Sequence, residues 1–591
     1  MQILKSNIKY LLLLLAVLNF SCRKDFLDKQ PDDMLTLDQV FNNRLEAERY
    51  LRNVYSFLPN EMAPWTNFSG ISDEGDILFV NMEHNDINNG NWSPDRIPFN
   101  DFGGLYRGIR SASVFLTRIG ECNECEQLIP GSKKQWAAEA KALRAWYYFL
   151  LMRKFGPVAL VKDILPVDVE LGATQLARSS FDECVAYIME ELDGAQAALP
   201  QKVADTRELG RVDGRVVQAM KSRILLYAAS PLWNGNTDYS NFKNSDGKQL
   251  VNTTYDADKW KKAADAAKLL IDMMPEGLYK KNTNGVFDPL ASYRDVFIDR
   301  FNQEIIWARP SSDWWSWQKH AAPRQFRGYN GMAATQQQVD AYYMANGLQI
   351  NEPGSGYVEA GFSTTDGKYT KAGAWNMYVG REPRFYATIT YNGGYWPSNS
   401  TQGSGDRLQF YFTGSSGKGG SHDYSPTGYL ISKFTSPSSN PRTDQFVMKT
   451  WNYFRLAEIY LNYVEALNEY SPGHGDIKRY LDLIHERAGI PAIPAGLGQA
   501  EMRERIRLER RIELAFEGHR VFDNRRWKIA EQTDGGPMWG MNVNKGNSFT
   551  DVSFFERTVF ETRVFQRKHY LWPIPQSEMD RNKAMVQNPG W

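Results

Sequence analysis

The chain has 591 residues, 69 of them basic and 69 acidic, with a mean hydropathy of −0.51. Balanced charge leaves no basic excess for a phosphate backbone and excludes a general nucleic-acid binder. The low hydropathy excludes a multi-span membrane protein, and the length gives ample room for a core. Aromatic residues make up 13% of the chain, including 17 Trp. That is more ring surface than a core alone needs, and it points to stacking against a ligand.

Residues 1–21 read as a signal peptide. Lys5 and Lys9 open it, and residues 10–20 follow without a charge. As a helix that run spans about 16 Å, roughly half a bilayer core, so it is too short to cross. The signal ends Asn19-Phe20-Ser21-Cys22, a small residue and then Cys at the close of an apolar stretch. That is the pattern of a bacterial lipoprotein cleavage site, so Cys22 is expected to carry the lipid and become the new N-terminus. Everything after it is expected to be soluble.

Cys122 and Cys125 form a C-x-x-C with no second pair and no His pair at ligand spacing, so no metal site is expected. In an exported protein a local disulfide between them is the favoured reading. Cys184 falls in a helical pattern and reads as a small buried residue.

Apolar residues at i, i+3, i+4, i+7 predict helices over 139–154, 180–199, 213–230 and 256–274, with less regular patterns at 37–58 and 104–119. Gly156-Pro157 and Pro231 read as stops. Each stripe needs cover, which antiparallel helix pairs stacked on their neighbours would give. From about 280 to 449 the chain turns rich in Gly, Ser, Asn, Pro and aromatics. So long an irregular stretch with so many rings reads as functional, not disordered. Helices return at 454–469, 476–488 and 501–519. The last is dense in Arg and Glu and reads as a solvated, ion-paired face.

Five blocks in order resemble the SusD/RagB family of outer-membrane nutrient-binding lipoproteins. They are the start Cys22-Arg-Lys-Asp-Phe-Leu-Asp; Glu139-Ala-Lys-Ala-Leu-Arg-Ala-Trp-Tyr-Tyr-Phe with Phe155-Gly-Pro-Val158; and Arg455-Leu-Ala-Glu-Ile-Tyr-Leu-Asn-Tyr-Val-Glu-Ala-Leu-Asn-Glu469. Arg510-Arg-Ile-Glu-Leu-Ala-Phe-Glu-Gly-His-Arg520 follows, and then the ending Leu571-Trp-Pro-Ile-Pro with Gln587-Asn-Pro-Gly-Trp591. The resemblance implies a mainly α fold with four tetratricopeptide-like helix pairs as scaffold and loop-rich insertions building the ligand face. It implies no cofactor and no catalysis. The protein would be lipid-anchored on the outside of the outer membrane, would bind oligosaccharide, and would pass it to a SusC-like TonB-dependent transporter. Some relatives are thought to take peptide instead. The organisation expected is signal 1–21, N-terminal helical region 22–280, aromatic ligand-binding insertion 281–450, and C-terminal helical region with tail 451–591.

A sugar site needs flat apolar rings beside a few groups that bond hydroxyls. Two segments offer that mix. One runs from Trp65 to Arg96 and holds Asn67, Asp73, Glu74, Asn91 and Trp92. The other runs from Trp307 to Arg327 and holds Trp314, Trp315, Trp317, His320 and Arg324. Trp92, Trp314 and Trp315 are taken as platforms, and Asp73, Glu74 and Arg96 as polar contacts. Trp375, Tyr378 and Trp396 stand behind them. Trp146, Trp260, Trp451 and Trp527 are assigned to helix packing. No G-x-S-x-G or H-E-x-x-H motif occurs, although the spatial carboxylate pair of a surface-anchored glycoside hydrolase is not legible from sequence.

Overall fold

The computed structural model describes residues 35–78, 82–164, 168, 170–310, 312–403, 405–420 and 422–591. The expected signal segment and Cys22 lie outside them. Six helices form the first part of the scaffold: α1 (Arg44–Ser56), α2 (Phe102–Arg118), α3 (Ser132–Phe155), α4 (Phe181–Gln196), α5 (Gly214–Ala229) and α6 (Asp258–Asp272). Each packs on the next in sequence, as stacked antiparallel pairs require.

The predicted starts near 180 and 213 coincide with real caps. Ser180 closes a capping box with Glu183, and the Asp213 carboxylate accepts from the Val216 N–H. Gly156, at φ 73°, ends α3. Helix α3 is buried on nearly every face from Ala138 onward, which makes it the axis of the core and not a one-sided amphipath. Cys122 and Cys125 are disulfide-bonded at the turn before it, and Cys184 is buried and free. Trp146, Trp260, Trp451 and Trp527 are all core residues.

After α6 the chain leaves the scaffold. Among the described residues ten short strands pair two by two; besides a small hairpin at 282–287, six are built from or into the excursion: β1 (Gly75–Ile77) with β3 (Met332–Ala334), β2 (Ile305–Arg309) with β6 (Trp451–Arg455), and β4 (Ile389–Tyr391) with β5 (Tyr429–Ile431). All are antiparallel. Trp451, assigned to helix packing, packs from a strand. The β7 (Gly536–Met541) and β8 (Arg557–Arg563) hairpin lies nearer the C-terminus. Among the described residues four short helices lie within the excursion, and the longest is α7 (Trp314–Ala321). The scaffold resumes with α8 (Leu456–Tyr470), which packs on α5 and α6, then α9 (Gly475–Ala488) and α10 (Gln499–Glu513), both against α8. Residues 273–455 are thus a long detour between two touching helices.

The charge run over 501–519 is a correction. Helix α10 stops at Glu513; Glu501 and Glu504 in its first half are exposed as expected, but Glu509, Arg510 and Glu513 in its second half are buried. Arg384, from the detour, bonds Glu382, Glu509 and Glu513 at 2.6, 2.5 and 3.0 Å. Arg455 bonds Glu304, Glu513 and Glu517 at 2.9, 2.7 and 2.7 Å. Arg487 bonds Glu304 and Glu513, and Lys433 bonds Glu517 at 2.7 Å. Burial works to raise the Glu513 carboxyl, but Arg487, Arg455 and Arg384 hold it well below the ordinary range. This network ties the detour to α8, α9 and α10 in a water-poor interior, where an unmatched charge is costly.

Candidate functional site

Three pieces of chain meet beside α7. The turn at 59–66 is closed by Thr66, whose hydroxyl donates to the Asn60 carbonyl at 2.6 Å and whose N–H donates to Ala63 at 3.0 Å. That closure leaves Trp65 40% exposed at its tip. The Asn60 amide donates to Asp313, the residue before α7, at 2.9 Å. Pairing of β1 with β3 brings the rest of the same loop alongside, with Ile77 opposite Met332.

Helix α7 sorts its rings by the 100° step of a helix. Trp314, Trp317, Gln318 and Ala321, at i, i+3, i+4 and i+7, point toward the core; Trp317 is fully buried and Trp314 half-buried. Trp315 and His320 fall on the outer side. Trp315 is 41% exposed and meets Phe446 edge-on at 6.0 Å. The His320 ring lies between Trp65, at 6.2 Å, and Tyr329, at 5.0 Å, edge-on to both. Burial lowers the His320 pKa, which favours the neutral ring. The Lys319 ammonium, paired with Asp444, sits 5.3 Å from the centre of the Tyr329 ring. The result is an open face with an aromatic row, Trp65–His320–Tyr329, and a separate ring at Trp315.

The turn that presents Tyr329 is tight. The Asn330 N–H donates to Ala322 at 3.0 Å, and Arg327 and Asn330 adopt positive φ. A Cβ on Gly328 would lie 2.0 Å from the Ala322 carbonyl oxygen. Arg324 then anchors the next loop: its guanidinium donates to the carbonyls of Ser415, Asp423 and Gly417 at 3.0, 2.8 and 2.7 Å.

Several expected contacts are not on this face. Asp73 is buried, bonded by Arg520 at 2.7 and 2.9 Å and by Arg511 at 3.1 Å. Burial works to raise its carboxyl, but the two guanidinium groups hold it below the usual carboxylate range. Glu74 is 1% exposed and accepts from the Phe516 N–H at 3.1 Å; burial pushes it up to about 7. Trp92 is 5% exposed and packs among Trp591, His569 and Trp572 at 4.6, 4.9 and 5.5 Å. These three are structural, because their partners arrive from beyond residue 510 and wall them off. Arg96 is exposed but pairs with Asp86 at 2.6 Å, on the turn that carries Trp92 and apart from the row. Trp375 stacks on Phe555 at 4.3 Å, Tyr378 stacks on Tyr391 at 4.2 Å, and Trp396 is buried. Of the two adjacent rings on α7, Trp315 lies open at the face, while Trp314 is half-buried against the core.

Tyr329 and Phe446 were missed by sequence reasoning. Tyr329 had a usable signal, an aromatic beside Gly328 two residues after Arg327; Phe446 had none. The larger clefts lie elsewhere. One of about 390 Å³ opens between α6, α8 and α10 and is lined by Tyr255, Trp260, Arg503 and Trp527. An open aromatic face suits a polymer that lies across a surface better than an enclosed cleft does. Among the described residues no cluster of His, Cys, Asp or Glu is arranged to hold a metal, and no helix is long and apolar enough to cross a membrane.

A profile described as the SusD family matches residues 296–591, and one described as "Starch-binding associating with outer membrane" matches residues 25–226. SusD-like protein P2 of Formosa agariphila is 34% identical over 145 residues, 23% of this chain and only 25% of that protein. The solved structure of BT4246 is 27% identical, with a TM-score of 0.82, covering 93% of this chain and 100% of the other. A SusD-like carbohydrate-binding protein from Bacteroides fragilis NCTC 9343 is 22% identical, with a TM-score of 0.68 over 93% of this chain and 100% of that one.

Proposed function

From the chain's membership of the SusD family, which the match to residues 296–591 establishes, we propose that it is a surface lipoprotein that binds oligosaccharide or polysaccharide and delivers it to a SusC-like TonB-dependent transporter. The single observation that carries the binding role is the exposed aromatic row Trp65–His320–Tyr329 with Trp315 beside it. Sugar rings present C–H faces that stack on such surfaces, and the surrounding side chains and carbonyls supply hydroxyl partners. Relatives point the same way: the Bacteroides fragilis protein carries the name of a carbohydrate-binding protein, and the N-terminal profile is described as starch-binding and outer-membrane-associated.

The anchor in this reading is a lipid on Cys22, with the ligand face turned to the cell exterior. The rigid scaffold holds that face, and the transporter is the partner beneath it. In this reading the activity is binding, not hydrolysis.

Titration of residues 23–591, which leave out the signal and the lipidated Cys22, with a panel of soluble polysaccharides tests the binding role. Saturable heat with one of them, lost in Trp65→Ala and Trp315→Ala variants that keep the wild-type Tm, is the expected result. Saturable binding of peptides alone would overturn it.

A further inference from the structure

We infer that the glycan taken by this face is acidic, carrying carboxylate or sulfate-ester groups along the polymer. This rests on the carbohydrate reading above and narrows its substrate class. The chain as a whole is neutral, yet two of the segments beside the face are not. Residues 309–330 hold four Lys or Arg and one Asp; residues 405–449 hold five and three. Lys319, Lys433 and Lys449 are buried and drop out of the surface count, which leaves six cations against four acids.

The pairing of those cations sharpens the point. Lys319 and Arg442 have acidic partners, Asp444 and Asp406. Arg324 bonds only to three carbonyls, Arg327 to the Arg442 carbonyl at 3.0 Å, Arg407 to the carbonyls of Gly393 and Gly373, and Lys418 to the Asn544 side-chain oxygen at 2.8 Å. Among the described residues none of these four has a carboxylate in an ion pair. A carbonyl oxygen satisfies a donor without cancelling its charge, so the positive field remains for an incoming anion.

Arg324 and Gln325 link these groups to the turn after α7. Arg324 follows α7 by three residues, and its Gly417 acceptor precedes Lys418. Gln325 donates to the Arg407 carbonyl at 3.1 Å. Asp423 is the acid facing both His320 and Arg324, and Asp444 faces Lys319 and Arg327. Each of these acids is therefore shared between basic groups.

The test is calorimetric titration of residues 23–591 with polygalacturonate, a sulfated galactan, laminarin and amylopectin, each at 0.1 M and 1 M NaCl. The two acidic polymers separate carboxylate from sulfate recognition. Raising the salt shortens the screening length from about 10 Å to about 3 Å. The expected result is binding to one acidic polymer that weakens at least fivefold at 1 M. Arg327→Gln and Lys418→Gln, both surface changes that leave the Arg324 anchor intact, should each weaken it several-fold at 0.1 M and have little effect at 1 M. Salt-insensitive binding of a neutral polymer, unchanged by either substitution, would overturn the acidic class and leave the carbohydrate reading standing. No binding to any of the four polymers would overturn both.

Discussion

Trp315 and Trp92 carry the same ring in opposite roles. Trp315 shows 41% of its surface, while Trp92 shows 5% and is hemmed in by three other rings. Trp315→Ala is therefore expected to lower glycan affinity at least tenfold in titration and to leave Tm within about 2 °C. Trp92→Ala is expected to cost about 3–5 kcal/mol of stability, the range for emptying a packed aromatic site, with affinity per folded molecule unchanged. The reverse pattern would move the site to the Trp92 turn. Glu74 gives a second prediction at this scale. Burial raises its pKa from 4.5 to about 7 in the fold, so the folded state favours the protonated acid. Stability from this group is complete below about pH 4.5 and falls as pH rises toward and through 7. At about 1.4 kcal/mol per pKa unit the loss is about 3 kcal/mol. Glu74→Gln fixes the neutral form. Denaturant midpoints at pH 4.5 and pH 8 should show the wild type losing ground to the variant by that amount; parallel midpoints would mean that Glu74 is ionised at both.

At the scale of an element, the aromatic row depends on the turn that follows α7. Gly328 is needed there because a Cβ would collide with the Ala322 backbone oxygen, and backbone cannot swing aside as a side-chain tip can. Gly328→Ala should displace Tyr329 and reduce glycan affinity several-fold, with far-UV circular dichroism unchanged because the scaffold helices are remote from it. Affinity equal to wild type would remove Tyr329 from the binding surface. The same elements show what a sequence can convey. Helices α3 to α6 were legible because long stripes and true caps such as Ser180 and Asp213 repeat one message over many residues. Helix α7 was not: eight residues give only two turns, inside a stretch whose Gly, Ser, Asn and Pro content reads as irregular. The three-residue strands β1 and β3 are too short to show alternation at all. Trp65, Trp315, His320 and Arg324 stood out as rings and cations in loops. Asp73 looked like them but was not, because its partner Arg520 lies 447 residues away in sequence, and no local pattern records such a pairing.

At the scale of the whole molecule, the ligand face is only as rigid as its attachment to the scaffold, and a buried ionic network is a large part of that attachment. Arg384 and Lys433 come from the detour, while Arg487, Glu509, Glu513 and Glu517 lie on or after the scaffold helices. Arg455 joins β6 to α8 and meets three carboxylates at once. Buried pairs of this kind are weak sources of net stability compared with an apolar core, but removing one partner strands the others. Arg455→Met leaves Glu304, Glu513 and Glu517 short of a shared counter-charge and should cost about 3–5 kcal/mol. Because the network spans both parts, the loss should not be local. Guanidinium unfolding followed by tryptophan fluorescence, which reports Trp315 and Trp317 in the detour among other rings, and by far-UV circular dichroism, which reports the helices, should give coincident transitions in the wild type. In Arg455→Met both should shift to lower denaturant together. A fluorescence transition that moves alone would show that the ligand face unfolds independently, and that the scaffold holds it by something other than these charges.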